Sequence, residues 1–263
     1  MNRRDFALAL GAATLVPAAA RAVTARLIDG PWQRFGSTGD PAMGVWEGIL
    51  AQHLVMGADG VARVRYSAVP LPELRQFIGA MQQVDVTTLN RDAAFAYWAN
   101  VYNAVTIAVV AEAWPVRSIR DIGGGLFSPG PWREKRFAVM GQTLSLDDIE
   151  HGIMRPVFGD ARVHYAVNCA SIGCPNLKAT PWRAANLSAE LDTAARAYVN
   201  HPRGVEVTSG GLVVSSIYDW FKADFGGTDA GVIAHLGRYA EDPAVGAATR
   251  IRDDRYDWAV NAV

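Results

Sequence analysis

Residues 91–114 form the longest apolar run in the chain, and within it only Arg91, Asp92 and Glu112 are charged. Asn90 stands where a helix N-cap belongs, and Pro115 lacks the N–H that a further turn would need. The apolar residues fall on every face of the predicted helix, so it is stable only with protein on all sides. The chain must therefore wrap a shell around a buried central helix. With 263 residues, half of them hydrophobic, it has the material to do so.

The flanking segments indicate what that shell is made of. Val45, Ile49, Leu50 and Leu54 recur at helical spacing, and Pro70 and Pro72 open a helix that runs to about Gln82. Residues 61–64 read as a short strand. Residues 137–144, with Gly141 at the turn, and residues 205–215, with Gly210-Gly211, read as hairpins. Ser145 is placed to cap a helix over 146–155, and 163–167 reads as an apolar strand. Helices are expected at 187–200, 217–224 and 230–239, and residues 256–260 are expected to close the sheet. Strands and helices do not alternate regularly. The class is therefore α+β, with helices on a small antiparallel sheet. Residues 43–263 are expected to form one domain behind a lead-in at 23–42.

The first 22 residues read as an address. Arg3-Arg4-Asp5-Phe6, an apolar run at 7–16 and Ala20-Arg21-Ala22 match the regions of a signal peptide, and the paired arginines resemble a twin-arginine signal. That run is too short to span a membrane. No later stretch is read as a span, so the product is expected to be periplasmic or secreted, without stable membrane insertion. A formal charge of −1 offers no basic field for nucleic acid.

Three segments carry most of the chemistry: Tyr97-Trp98-Ala-Asn100-Val-Tyr102-Asn103-Ala104, Leu144-Ser-Leu-Asp147-Asp-Ile-Glu150-His151-Gly152, and His164-Tyr-Ala-Val-Asn168-Cys169-Ala-Ser171-Ile-Gly-Cys174-Pro175. In this order and spacing the chain resembles the domain-of-unknown-function family 547, seen in bacterial exported proteins and, behind a zipper-like segment, in plants. The closing Tyr256-Asp257-Trp258-Ala-Val-Asn261 is similar to that family's end. The resemblance runs over about residues 77–261 and implies no assigned reaction. No zipper-like segment stands ahead of the domain, so the plant members' transcriptional association is not carried over.

The residues themselves allow three arrangements. In the first, Cys169 is a nucleophile, His151 or His164 its base, and Glu150, Asp257, Asn100, Asn103 or Asn168 the orienter. The amides of residues 170–173 would then form an oxyanion hole. If 163–167 is extended, His164 and Cys169 point to opposite faces, which leaves His151 an equal candidate. In the second, His151, His164, Cys169 and Cys174 hold zinc, although their spacing matches no familiar module. In the third, Cys169 and Cys174 form a structural disulfide.

The leading expectation is a cysteine-dependent hydrolase or acyltransferase acting on an envelope amide or thioester. The rival is a non-catalytic envelope module binding a small molecule, peptide or glycan. No cofactor or metal is called for, and the glycine-rich stretch 123–131 matches no nucleotide loop. Residues 132–136 allow an anion clamp beside that stretch. Asn100 and Asn103 are expected to bond the 168–175 turn, and His53, His201 and His235 to face solvent.

Overall fold

Trp46, Ile49 and Leu50 form the buried side of α1 (Gly44–His53) in the computed structural model, which describes residues 23–123 and 130–263. The leader expected at 1–22 and the middle of the glycine-rich stretch, 124–129, lie outside the described residues. A Gly57–Gly60 turn joins β1 (Leu54–Met56) to antiparallel β2 (Ala62–Val64). Pro72 sits in the first turn of α2 (Leu71–Gln82), where its missing N–H costs nothing.

Asn90 caps α3 (Arg91–Ala113) as expected, its side-chain oxygen accepting from Ala93 N at 2.9 Å. Every residue from Ala93 to Val110 is buried. By length and hydropathy α3 is able to cross a membrane, contrary to the expectation that no later stretch would be. Its most apolar window is nevertheless entirely enclosed by protein, so α3 is the core helix of the fold. Around it pack α2 and a core rich in aromatic side chains, including Trp46, Phe77 and Trp182.

The hairpin of β3 (Phe137–Val139) and β4 (Gln142–Leu144) turns at Met140 and Gly141, which have φ of 49° and 77°. Two left-handed residues suit the right-handed twist of the flanking strands. Ser145 then starts a helix as predicted. Its hydroxyl accepts from Asp148 N at 3.1 Å, while Asp148 Oδ2 accepts from Ser145 N at 2.6 Å, a reciprocal cap. The helix opens as seven residues of π-helix, Asp148–Met154, and continues as α4 (Arg155–Phe158).

Residues 163–167 are not a strand. They form the helical turn α5 (Val163–Ala166), because Asp160 takes Arg162 N on its side chain at 2.8 Å and Val163 N on its carbonyl at 3.1 Å. That local turn overrides the strand preference of Val163 and Tyr165.

A second core lies beyond α6 (Leu187–Val199), around β5 (Val205–Thr208), β6 (Gly211–Ser215), α7 (Ile217–Trp220) and α8 (Asp229–Gly237). Beyond α9 (Pro243–Gly246), β7 (Ile251–Arg255) closes this sheet in place of 256–260. The β6–β7 pair is parallel, so the sheet is mixed. Helices α7 to α9 form the crossover a parallel pair requires. His235, expected at the surface, is buried here with Nε2 at 2.9 Å from the Tyr165 hydroxyl.

Candidate functional site

Residues 168–175 form a tight loop held at several points by amide side chains. Asn168 donates from Nδ2 to Pro175 O at 2.8 Å, and its Oδ1 accepts from Ala170 N at 2.9 Å. Asn103 on α3 donates to Ala166 O at 2.9 Å and accepts from Asn168 N at 2.8 Å. Asn103 thus serves this turn as expected. Asn100 does not, because it bonds both backbone groups of Trp182 and the Trp46 indole. Ile172 N and Gly173 N donate to the carbonyls of Ala259 and Asp257. Three of the four amides proposed for an oxyanion hole are therefore already engaged. A Cβ on Gly173 would lie 2.9 Å from the Asp257 backbone, so only glycine fits under the closing segment.

Within this loop Cys169 and Cys174 are joined in a disulfide. The Tyr256 hydroxyl lies 3.0 Å from each sulfur and 2.8 Å from Ser171 Oγ. The hydrogen-bonding neighbours of Cys169 Sγ are thus Ser171 and Tyr256, not a histidine. The bridge also takes both sulfurs out of a His–Cys zinc set.

Lining the same cavity as the disulfide, four segments close a ring of ionisable side chains. His164 on α5 places Nε2 at 2.7 Å from Asp224 Oδ2 and Nδ1 at 3.5 Å from Glu150 Oε1. Asp224 Oδ2 also accepts from Arg155 Nε at 2.6 Å. Arg155 Nη1 reaches His151 Nδ1 at 3.3 Å, and that nitrogen lies 3.8 Å from Glu150 Oε1, which completes the circuit. Phe221 stacks on the His164 ring at 4.1 Å between centroids and lies under the Arg155 guanidinium at 4.8 Å.

The ring polarises its members. Burial opposes ionisation of Glu150, but the neighbouring His151 and hydrogen bonds from His164 and Tyr102 reverse this and bring it down to about 2. For Asp224, burial is likewise outweighed by hydrogen bonds from His164 and Arg155, and it too falls to about 2. Asp147 goes the other way: burial raises it despite His151 and Arg133 nearby. Burial, with help from Arg155, lowers His151. An arginine only donates, so the neutral His151 ring accepts at Nδ1 and carries its hydrogen on Nε2, which faces Asp147 at 4.0 Å.

Above this ring opens a cavity of about 310 Å³. Glu150, His151, His164, Cys169 and Cys174, all singled out in the sequence, line it together, while Asn168 stands just behind as a structural brace. Asp257 is not among its walls, and its carboxylate accepts from Ala259 N. The cations of 132–136 are not a free clamp: Arg133 meets Asp147, Lys135 meets Asp148, and Arg136 meets Glu134. Trp132 does reach the cavity, joined by Trp220, Trp258, Tyr256 and Phe221.

Two members of the ring escape sequence reasoning. Arg155 follows His151 by four residues, as His151 follows Asp147, a spacing that could have placed it on the same side. Asp224 lies on a turn after α7, with nothing local to set it apart from other acids.

The fold and site define an α+β protein with a disulfide-braced pocket over a ring of imidazoles, carboxylates and one arginine. A family model described as Protein of unknown function, DUF547, matches residues 86–199, and over that segment the chain is similar to the family. All three segments read as characteristic lie within the match; the closing 256–261 lies outside it. No curated protein and no solved structure matches the chain.

Proposed function

We propose that this protein is a non-catalytic binding module of the cell envelope whose pocket takes a small molecule or the end of a peptide or glycan. The observation that carries this reading is the state of the reactive groups. Both sulfurs are bridged, His164 has a carboxylate at each nitrogen, and the acceptor nitrogen of His151 is taken by Arg155. Among the described residues no base stands ready beside a thiol. What the cavity offers is aromatic surface, an N–H from His151 and two carboxylates, an inventory suited to holding a ligand. An oxidising compartment accords with the disulfide. The test is titration of free thiols on native protein, with intrinsic tryptophan fluorescence during a ligand screen. Zero free thiols and saturable quenching by a ligand are expected, the quenching being lost in Trp220→Ala. Two free thiols on native protein would overturn the reading.

One observation favours a cysteine-dependent hydrolase or acyltransferase as a second reading: Cys169 shares the cavity with His151, His164 and Glu150. Reduction by a dithiol would free Cys169 to attack an acyl carbon, expel an amine or thiol, and pass the acyl group to water. Alkylation of Cys169 by iodoacetamide in reduced protein, with loss of hydrolysis in Cys169→Ser, would support it. Hydrolysis unaffected by Cys169→Ser would sink it.

A further inference from the structure

The carboxylates and the aromatic wall meet in a way that specifies the charge of the ligand. Among the described side chains lining the cavity, the carboxylates beside the neutral His151 are Asp147 and Glu150. Arg155 adds no free positive charge. Its side chain is 1% exposed and bonded to Asp224 and His151. The side chain of Asp147 lines the cavity, is 35% exposed and, among the described residues, has only Arg133, itself 85% exposed, at 3.4 Å as a salt-bridge partner besides His151.

The opposite wall is a cluster of indole and phenol rings. Trp220 and Trp258 stack at 5.4 Å, and Tyr256 packs against them at 4.8 and 4.7 Å. Trp132 meets Trp258 edge-on at 5.9 Å. Such rings present negative faces that attract cations, most strongly when water is excluded. Two rings of this pocket already do so within the chain: Phe221 lies under Arg155, and Trp258 lies 5.1 Å beneath Arg120. Neutral ligands gain only the apolar part of this surface. Anions meet two carboxylates, and among the described residues lining the cavity there is no unpaired arginine or lysine to receive them.

We infer that the pocket selects an alkylammonium cation, held between the Trp132–Trp220–Trp258–Tyr256 wall and the carboxylates of Asp147 and Glu150. The inference rests on the binding reading and narrows it to a ligand class. Methylated nitrogen suits the site best, because the rings hold a cation without needing hydrogen bonds from it.

Choline and its neutral carbon isostere, 3,3-dimethyl-1-butanol, differ in little but charge. They are titrated into the full chain by calorimetry, with tryptophan fluorescence in parallel. Choline is expected to quench the tryptophans and bind at least tenfold more tightly than the isostere. Asp147→Asn and Trp258→Leu are each expected to weaken choline at least fivefold; Asp147, partly exposed, is replaceable with little effect on melting. Equal affinity for the isostere, absence of choline binding, or indifference to Asp147→Asn would overturn the inference. A neutral aromatic probe, N-phenyl-1-naphthylamine, separates the two levels of failure. If it enters the pocket and Trp220→Ala abolishes its signal while choline does not bind, the charge preference is wrong and the binding reading survives. If neither binds, both fall.

Discussion

His164 Nε2 lies 2.7 Å from Asp224 Oδ2, across sixty residues of sequence, and the same oxygen accepts from Arg155 Nε at 2.6 Å. One carboxylate oxygen thus fixes an imidazole and a guanidinium at once. It joins the end of the first core to the start of the second, because Arg155 and His164 precede α6 and Asp224 follows α7. The π-helix contributes as well. Its wider turn brings Glu150 and His151 to the same cavity, and irregular turns of this kind recur at functional sites.

Removing Asp224 leaves Arg155 charged, enclosed and short of its strongest partner. Asp224→Asn is expected to destabilise the protein by about 3–5 kcal/mol in urea denaturation, the usual cost of breaking one side of a buried pair. Replacing both partners, as Asp224→Leu with Arg155→Met, should cost less than either single change. A loss below about 1 kcal/mol for Asp224→Asn would show that the ring is not a structural brace.

Acid should weaken the fold in two stages. Burial lowers His235 from 6.5 to about 4, so the unfolded chain binds its proton first; that contribution is complete above 6.5 and is lost as pH falls towards 4. Glu150 and Asp224, both near 2 when folded, contribute stability above their ordinary carboxylate values and lose it as pH falls from about 4.5 towards 2. Denaturant midpoints measured from pH 8 to 2 should show both declines. His235→Gln should shrink the upper one by about 3 kcal/mol, leaving the part due to the lowered His151, and should not change the lower.

Asn103 and Asn100 lie three residues apart on α3 and serve different partners. Asn103→Ala strands Asn168 N, leaves Ala166 O to the Trp182 indole, and should cost about 1–3 kcal/mol while loosening the disulfide loop. Asn100→Ala should cost a similar amount through Trp182 and leave the pocket intact. Thermal melting paired with N-phenyl-1-naphthylamine binding checks the contrast: only Asn103→Ala should lose the probe.

The closing segment rests on Gly173 with no room for a side chain. Gly173→Ala should lower stability by about 1–3 kcal/mol through overpacking against Asp257. Replacing both cysteines by serine should cost about 2 kcal/mol, the entropy of so short a loop. Denaturation of the two variants under oxidising conditions tests both values, and an unchanged midpoint in Gly173→Ala would show that the segment moves aside freely.

Much of the fold was legible locally. Asn90, the unbroken apolar run after it and Pro115 announced the buried helix, and Gly141 and Gly211 marked two hairpins. Residues 163–167 misled, because Val163 and Tyr165 favour strand while the deciding contacts came from Asp160. The parallel β6–β7 pair was hidden because a strand's sequence does not reveal which neighbour it meets.

For the site, sequence alone named Glu150, His151, His164, Cys169 and Cys174, because those residue types carry chemistry wherever they occur. Only tertiary structure decided what that chemistry is. It brought Asp224 and Arg155 to the imidazoles, filled the histidine nitrogens with partners, set the two sulfurs within bonding reach, and gathered distant tryptophans into a wall. Side-chain identity is written in the chain, but the protonation and availability of each group depend on neighbours within a few ångströms. Those neighbours are chosen by the packing around α3 and the second core, over separations that no local pattern encodes.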